Sequence, residues 1–255
     1  MKTKEFLLNL CPEQLIVPLR FHYWQLRGKL ESEIQLLKEL VGKGQRAIDI
    51  GANLGVYTYA LSQLCEVVEA FEPQPRCAET LLAYSQHSSN KINVHNVALS
   101  ESQGLLTLHV PIIKGKPISG LASFRKLDCA QKSITVPVCR LDDYNFENIS
   151  FIKIDVEGHE SKVIKGGRNT ILREKPILLV EIEQRHLGSK PMAALFEEIT
   201  ELGYEGKFLY KGQLIPLSEF SYEKYQKPFL VGVYHKLFVK NIDKNYANNF
   251  IFSPI

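Results

Sequence analysis

"AIDIGANLGVYT", residues 47–58, decides how the rest of the chain is read. Ala47, Ile48 and Ile50 around a single acid, Asp49, have the length and branching of a short buried strand. Gly51 and Gly55 bracket a turn, and "GVYTYALSQL" (55–64) continues as a helix. Strand, glycine loop and helix in that order open a sheet whose ligand crevice lies beyond the carboxyl ends of its strands. The two glycines let the backbone turn tightly and approach a ligand, and the free N–H groups at the helix start face that space.

Outward from this unit the same rhythm repeats. "EVVEAF" (66–71) is a strand, "PRCAETLLAYSQHS" (75–88) a helix and "INVHNVAL" (92–99) a third strand; "FIKID" (151–155) and "PILLVEI" (176–182) are two more. Strands alternating with helices predict an α/β fold with a doubly wound, mostly parallel sheet. "GLLTLHV" (104–110) and "SITVPVCRL" (133–141) break the rhythm with strand-like alternation around a turn-rich segment, and predict an inserted antiparallel strand pair. "GYEGKFLY" (203–210) and "PFLVGVYHKLFV" (228–239) read as two late strands pairing antiparallel at the sheet edge. Residues 1–44 form an N-terminal helical extension, with an amphipathic helix in "GKLESEIQLLKELVGKG" ended by Gly42 and Gly44; residues 45–255 form the main domain.

Composition narrows the function classes. The chain has 255 residues, 45% of them hydrophobic, and a net charge of +3 with acids and bases interspersed. That is enough for one sizeable core and offers no electrostatic footprint for nucleic acid. The five cysteines, at 11, 65, 77, 129 and 139, form no CxxC pair or zinc spacing, so reduced thiols and a cytoplasmic location are expected. No apolar run approaches the roughly 20 residues needed to span a bilayer, and the first residues read as neither signal peptide nor anchor. Oligomeric state leaves no mark in the sequence.

The first loop points to a ligand class. A dinucleotide fingerprint would place a second glycine where Asn53 stands, so close approach by a pyrophosphate is not provided for. Asp49, just before the loop, would repel a diphosphate and suits a cation or an amine. Glu72, at the end of the second strand, occupies the position where an acid takes a ribose diol in this topology. Asn96, with the backbone at Val97–Ala98, is placed to edge an adenine. A ribose, a cationic group and no diphosphate together describe S-adenosylmethionine. The rival on the same topology is an NAD(P)-dependent oxidoreductase, against which Asp49 and Asn53 both argue; a non-catalytic nucleoside-binding module is the other.

In order and spacing, "DIGANLGVYT", "FEPQP", "NVALSE", "RLDDY", "IKIDVEGHE" with "VIKGG", and "PILLVEIE" resemble the FkbM family of S-adenosylmethionine-dependent methyltransferases over residues 46–183. "NNFIF" near the end is also similar to that family. The resemblance implies a Rossmann-like methyltransferase fold and methyl transfer to a hydroxyl, often on a sugar or secondary metabolite, with a small-molecule or glycan acceptor. It also implies that Asp49, Gly51, Asn53, Gly55, Glu72, Asn96 and Asp155 bind the cofactor. Gln74 departs from the Asn or His frequent there, and "AYSQH" from the usual Asn-containing helix end.

"IKIDVEGHE" (152–160) carries the candidate chemistry. Asp155 ends the fourth core strand, where a carboxylate lowers the cost of holding positive charge in a partly dry pocket. Methyl transfer needs the acceptor oxygen in line behind the methyl and a group to take its proton. His159 is the candidate general base, with Glu157, Glu181 or Glu183 as the carboxylate that orients it. Each has a plainer reading: Glu157 and Glu160 favour a helix N-terminus through its dipole, and His159 starts that helix. Asp155, Glu157, Glu181, Glu183 and His186 can also be grouped as an oxygen-rich site for a divalent ion, held below a metal-free mechanism. The loop around residues 112–120 is expected to serve the acceptor rather than the cofactor.

Overall fold

The computed structural model describes residues 11–42, 44–126, 129–230 and 245–255. Its strands are β1 (Arg46–Ile50), β2 (Val67–Phe71), β3 (Lys91–His95), β4 (Ala98–Leu99), β5 (Gly104–Ile113), β6 (Lys116–Pro117), β7 (Gln131–Cys139), β8 (Ile149–Ile154), β9 (Ile177–Glu181), β10 (Tyr204–Tyr210), β11 (Gln213–Pro216) and β12 (Asn249–Pro254). An eight-stranded sheet has the order β11-β10-β12-β9-β8-β1-β2-β3. From β9 to β3 every pairing is parallel; β12, β10 and β11 add antiparallel on the far side. The sheet winds outward in both directions from β1, so the ends of β1 and β8 open a crevice at the switch point.

Alternation along the central strands divides the core. Ile48, Ile50, Ile152, Ile154, Leu178 and Val180 pack on one face, and Ala47, Phe151 and Leu179 on the other. Phe71 and Phe151 are wholly buried, each contributing about 1.5–3 kcal/mol by leaving water. The second face is covered by helices α1 (Glu13–Leu26), α2 (Val56–Ser62) and α3 (Pro75–Ser85). Val17 of α1 lies at the heart of that cluster, so the described part of the N-terminal extension shares the core of the residues it precedes. Gly55 (φ +80°) lets α1 settle there: a Cβ would lie 2.8 Å from Leu81 and 3.0 Å from Val17.

Two expectations are adjusted. The stretch 28–44 is a short 3-10 helix, Ser32–Leu36, continuing into an α-turn, Leu37–Val41, rather than one helix. The third strand stops at His95: Asn96 donates to the Glu72 carbonyl, and Ala98–Leu99 leaves for a second sheet, β4-β7-β5-β6. That sheet is built on the expected antiparallel pair, β5 with β7. Of the late strands, 203–210 is β10 in antiparallel pairing; 228–239 lies mostly outside the described residues, and β12 fills the place between β9 and β10.

Candidate functional site

The crevice holds two adjoining hollows, of about 560 and 1230 Å³ counted with the open space at their mouths. Phe71, Glu72, Gln74, Leu99, Phe124 and Val156 line the smaller. Asp49, Tyr57, Lys153, Glu181, Arg185 and Asn248 line the larger. Gly51, Asn53, Gly120, Asp155 and Glu157 belong to both. Two turns must nearly touch to make that shared wall. Gly51 (φ +83°) is the contact: a Cβ there would stand 1.9 Å from the Asp155 carbonyl oxygen.

In the smaller hollow, the buried Glu72 carboxylate accepts from the backbone N–H groups of Asn53 (2.7 Å) and Gln74 (2.8 Å). These bonds fix its direction and leave each oxygen lone pairs for a further donor. Burial pushes its pKa up to about 7 despite those donors. Asn96 stands behind this site, its Nδ2 donating to the Glu72 carbonyl (2.8 Å), and is not among the wall residues. Gly55 likewise serves the packing of α1 and does not line either hollow.

A row of charged side chains interrupts the apolar second face of the sheet. Asp49 pairs in register with Lys153 on β8, and Glu181 with Asn249 on β12. Asp49 is buried, accepts from Thr58 Oγ1 (2.6 Å), and is pushed up to about 6 by burial. Lys153 is 1% exposed; its Nζ lies 3.2 Å from Asp155 Oδ2 and 4.7 Å from the Tyr57 ring centroid, yet no acceptor meets it in hydrogen-bond geometry. Burial works against its charge, but Asp155, Glu31, Glu181 and Asp49 raise its pKa and keep it an ammonium. Glu181 accepts from Asn248 Nδ2 (2.9 Å) and is raised well above the carboxylate range by burial and by Asp155. Glu183 is gripped by Arg185 (Nη2 at 2.8 Å) and by the Tyr246 hydroxyl. Burial opposes its ionisation, yet Arg185 and His186 hold it down to about 2.

Glu157 sits where both hollows meet, in the left-handed region at φ +52°, a conformation that costs a non-glycine residue about 1–3 kcal/mol. Its carboxylate lies 2.9 Å from His186 Nδ1, its carbonyl accepts from Ser123 Oγ (2.7 Å), and Arg125 Nη1 donates to the His186 carbonyl (3.3 Å). Burial raises the Glu157 pKa although His186 opposes it; burial lowers that of His186, but Glu157 outweighs it and the net shift is upward.

Asp155, Glu157 and Glu181 therefore come together, with one oxygen of each within 4.8 Å of the others. His159 does not join them. Its Nε2 is 2.9 Å from Ser100 Oγ, its ring packs on Phe124, and it lines neither hollow. Burial, with Lys162 nearby, depresses its pKa to about 4, so it is neutral but turned away. The histidine that Glu157 engages is His186, which the sequence offers only as an ion ligand. No motif marks Lys153, although a lysine inside the buried run "FIKID" is itself a signal. Of the inserted segment, Ser119, Gly120, Ala122 and Phe124 line the smaller hollow and Gly120 and Leu121 the larger, so it walls both.

The methyltransferase FkbM domain matches residues 49–205, more than half of the chain. The chain belongs to the FkbM methyltransferase family. It is 28% identical over 196 residues to the hexuronic acid methyltransferase AglP of Haloferax volcanii, covering 72% of this chain and 77% of that protein. It is 27% identical over 168 residues to the 2-O-methyltransferase NoeI of Sinorhizobium fredii, covering 59% and 69%. The crystal structure of methyltransferase FkbM from Methylobacillus flagellatus superposes with a TM-score of 0.51 at 17% identity, over 82% of this chain and 44% of that one. This chain thus spans under half of that solved protein, and the likeness fixes the Rossmann-like methyltransferase fold. The enzyme is a methyltransferase, and no helix among its described residues is long and apolar enough to cross a membrane.

Proposed function

We propose that this enzyme takes S-adenosylmethionine and methylates a hydroxyl of a sugar or a sugar-bearing small molecule or glycan. The observation that carries the proposal is the pair of hollows meeting at Asp155 and Glu157, with the buried carboxylate of Glu72 in one and a larger space with Asp49, Lys153 and Glu181 in its wall in the other. The chain's residues fit the cofactor. Glu72 has lone pairs to spare for a ribose diol, and Phe71, Leu99 and Val156 offer apolar walls to an adenine. Asp49 and Asp155 supply negative charge for a sulfonium and an ammonium. When bound, the cofactor supplies an electrophilic methyl group. The names of the two enzymatic relatives, one acting on hexuronic acid and one a 2-O-methyltransferase, support a sugar hydroxyl as acceptor.

The chain's own groups divide the remaining work. Asp155 faces the positive charge from the shared wall. Glu157 takes the acceptor's proton, with His186 behind it to hold the carboxylate and stabilise its charge. His159 buttresses the turn through Ser100 and Phe124. Calorimetry should show S-adenosylhomocysteine binding that weakens tens-fold or more in Glu72→Ala, since losing hydrogen bonds to a charged group costs about 1.5–3 kcal/mol. Binding of NAD in its place would overturn the cofactor assignment. Methyl-labelled cofactor with a panel of p-nitrophenyl glycosides, neutral and uronic, should yield an O-methyl sugar by mass analysis; methylation of amines alone would overturn the hydroxyl assignment.

A further inference from the structure

Asp155, Glu157 and Glu181 are close enough to hold a divalent ion, but a cation already stands beside Asp155. Lys153 Nζ is 3.2 Å from Asp155 Oδ2, on a side chain 1% exposed, and it lines the larger hollow beside the wall that Asp155 shares with the smaller. Its position is enforced. The β1–β8 register sets Lys153 opposite Asp49, and the Tyr57 ring lies against its ammonium at 4.7 Å. No acceptor meets its N–H groups in hydrogen-bond geometry. A buried donor left unmet is costly, and an oxygen arriving in the hollow would remove that cost.

We propose that Lys153 is the fixed cation of the acceptor hollow, standing where a divalent ion would otherwise be needed and donating a hydrogen bond to the oxygen that receives the methyl group. The acceptor half rests on the hydroxyl-methylation reading proposed above. In the transfer, the acceptor oxygen's lone pair forms the bond to the methyl carbon while the carbon–sulfur bond breaks with its pair left on sulfur. The hydroxyl proton passes to Glu157. The Lys153 ammonium makes that proton easier to lose and holds the oxygen in line. It does so without the ligand exchange that a bound metal would require.

The test uses the full chain with S-adenosylhomocysteine present and Mn²⁺ as the probe, read by electron paramagnetic resonance and calorimetry. The wild type should show no saturable Mn²⁺ binding. Lys153→Met, which keeps the length and removes the charge, should gain one saturable site that Glu181→Gln removes. Its affinity for S-adenosylhomocysteine should stay within a few-fold of wild type, while turnover on the p-nitrophenyl glycosides falls by about 10²-fold or more, the usual cost of losing a donor to a developing charge. Saturable Mn²⁺ binding by the wild type, lost in Glu181→Gln, overturns the proposal and makes the cluster a metal site; this arm needs no lysine variant and decides even if Lys153→Met fails to fold. Parallel loss of homocysteine-cofactor binding and turnover in Lys153→Met also overturns it, since the ammonium would then hold the cofactor's carboxylate. Transfer by the wild type to none of the glycosides counts against the sugar reading, and the Mn²⁺ titration still decides the place of the cation.

Discussion

Glu157 is the residue whose surroundings say most about the reaction. It is held at φ +52°, its carbonyl is tied to Ser123, and its carboxylate is tied to His186. A strained residue fixed from both ends is one whose direction matters. Glu157→Gln keeps the shape and loses the base, so turnover should fall by about 10²–10⁴-fold with cofactor affinity nearly unchanged. In the wild type the rate should rise with pH as Glu157 loses its proton, a step that burial moves upward. His159→Ala should behave differently. It removes a half-buried ring that packs on Phe124 and bonds Ser100, so melting temperature should drop while turnover stays within several-fold. A His159→Ala enzyme as slow as Glu157→Gln would return the histidine to the reaction.

At the scale of elements, the inserted sheet acts as a brace over two turns. Ser123, bridged to His109 of β5, reaches the Glu157 carbonyl, and Arg125 reaches the His186 carbonyl. The turn after β8 and the turn after β9 can meet because Gly158 (φ +96°) has no side chain: a Cβ would lie 2.6 Å from the His186 carbonyl oxygen. Gly158→Ala should therefore cost about 1–3 kcal/mol in thermal unfolding, and turnover should fall further than stability alone explains, as the Glu157–His186 contact opens. The insert's two ends differ in what they touch. Shortening the β5–β6 tip at Lys114–Gly115 should spare S-adenosylhomocysteine binding. Deleting Ser119–Leu121 should weaken it by about tenfold, since Gln74 Nε2 donates to the Ser119 carbonyl (3.1 Å) and that segment walls the smaller hollow. Equal effects of the two deletions would show that the insert acts only as a whole.

For the whole molecule, burying carboxylates in one crevice has a thermodynamic signature. Glu72 carries a folded-state pKa of about 7, above its unfolded value. The folded state then binds its proton more tightly, so this group's contribution to stability is present at low pH and lost as pH rises through about 7. Comparing wild type with Glu72→Gln cancels the other titrating groups. Without ligand, the melting temperature of the wild type should fall relative to that of Glu72→Gln as pH goes from about 5 to about 8. A difference that stays flat across that range would show that Glu72 is ionised throughout in the folded protein.

Much of this was legible along the chain because its causes are local. Strand length, helix spacing and the Gly51–Gly55 turn are short-range properties, and in sequence they already defined a parallel sheet with its crevice at the end of β1. Glu72 could be placed for the same reason, since a strand end next to the first loop has only one space to face. The partner of each charged group was not legible. Whether Glu157 meets His159 or His186 depends on the approach of two turns that only Gly158 permits. Whether Lys153 faces solvent or a row of acids depends on the register of β1 on β8. Asp155, Glu157 and Glu181 come together across two strand ends, and β12 supplies the Asn249 that faces Glu181 from the other end of the sequence. Local preference sets elements and their order; side-chain pairing is set by register and by close backbone approach, and these exist only once the sheet has formed.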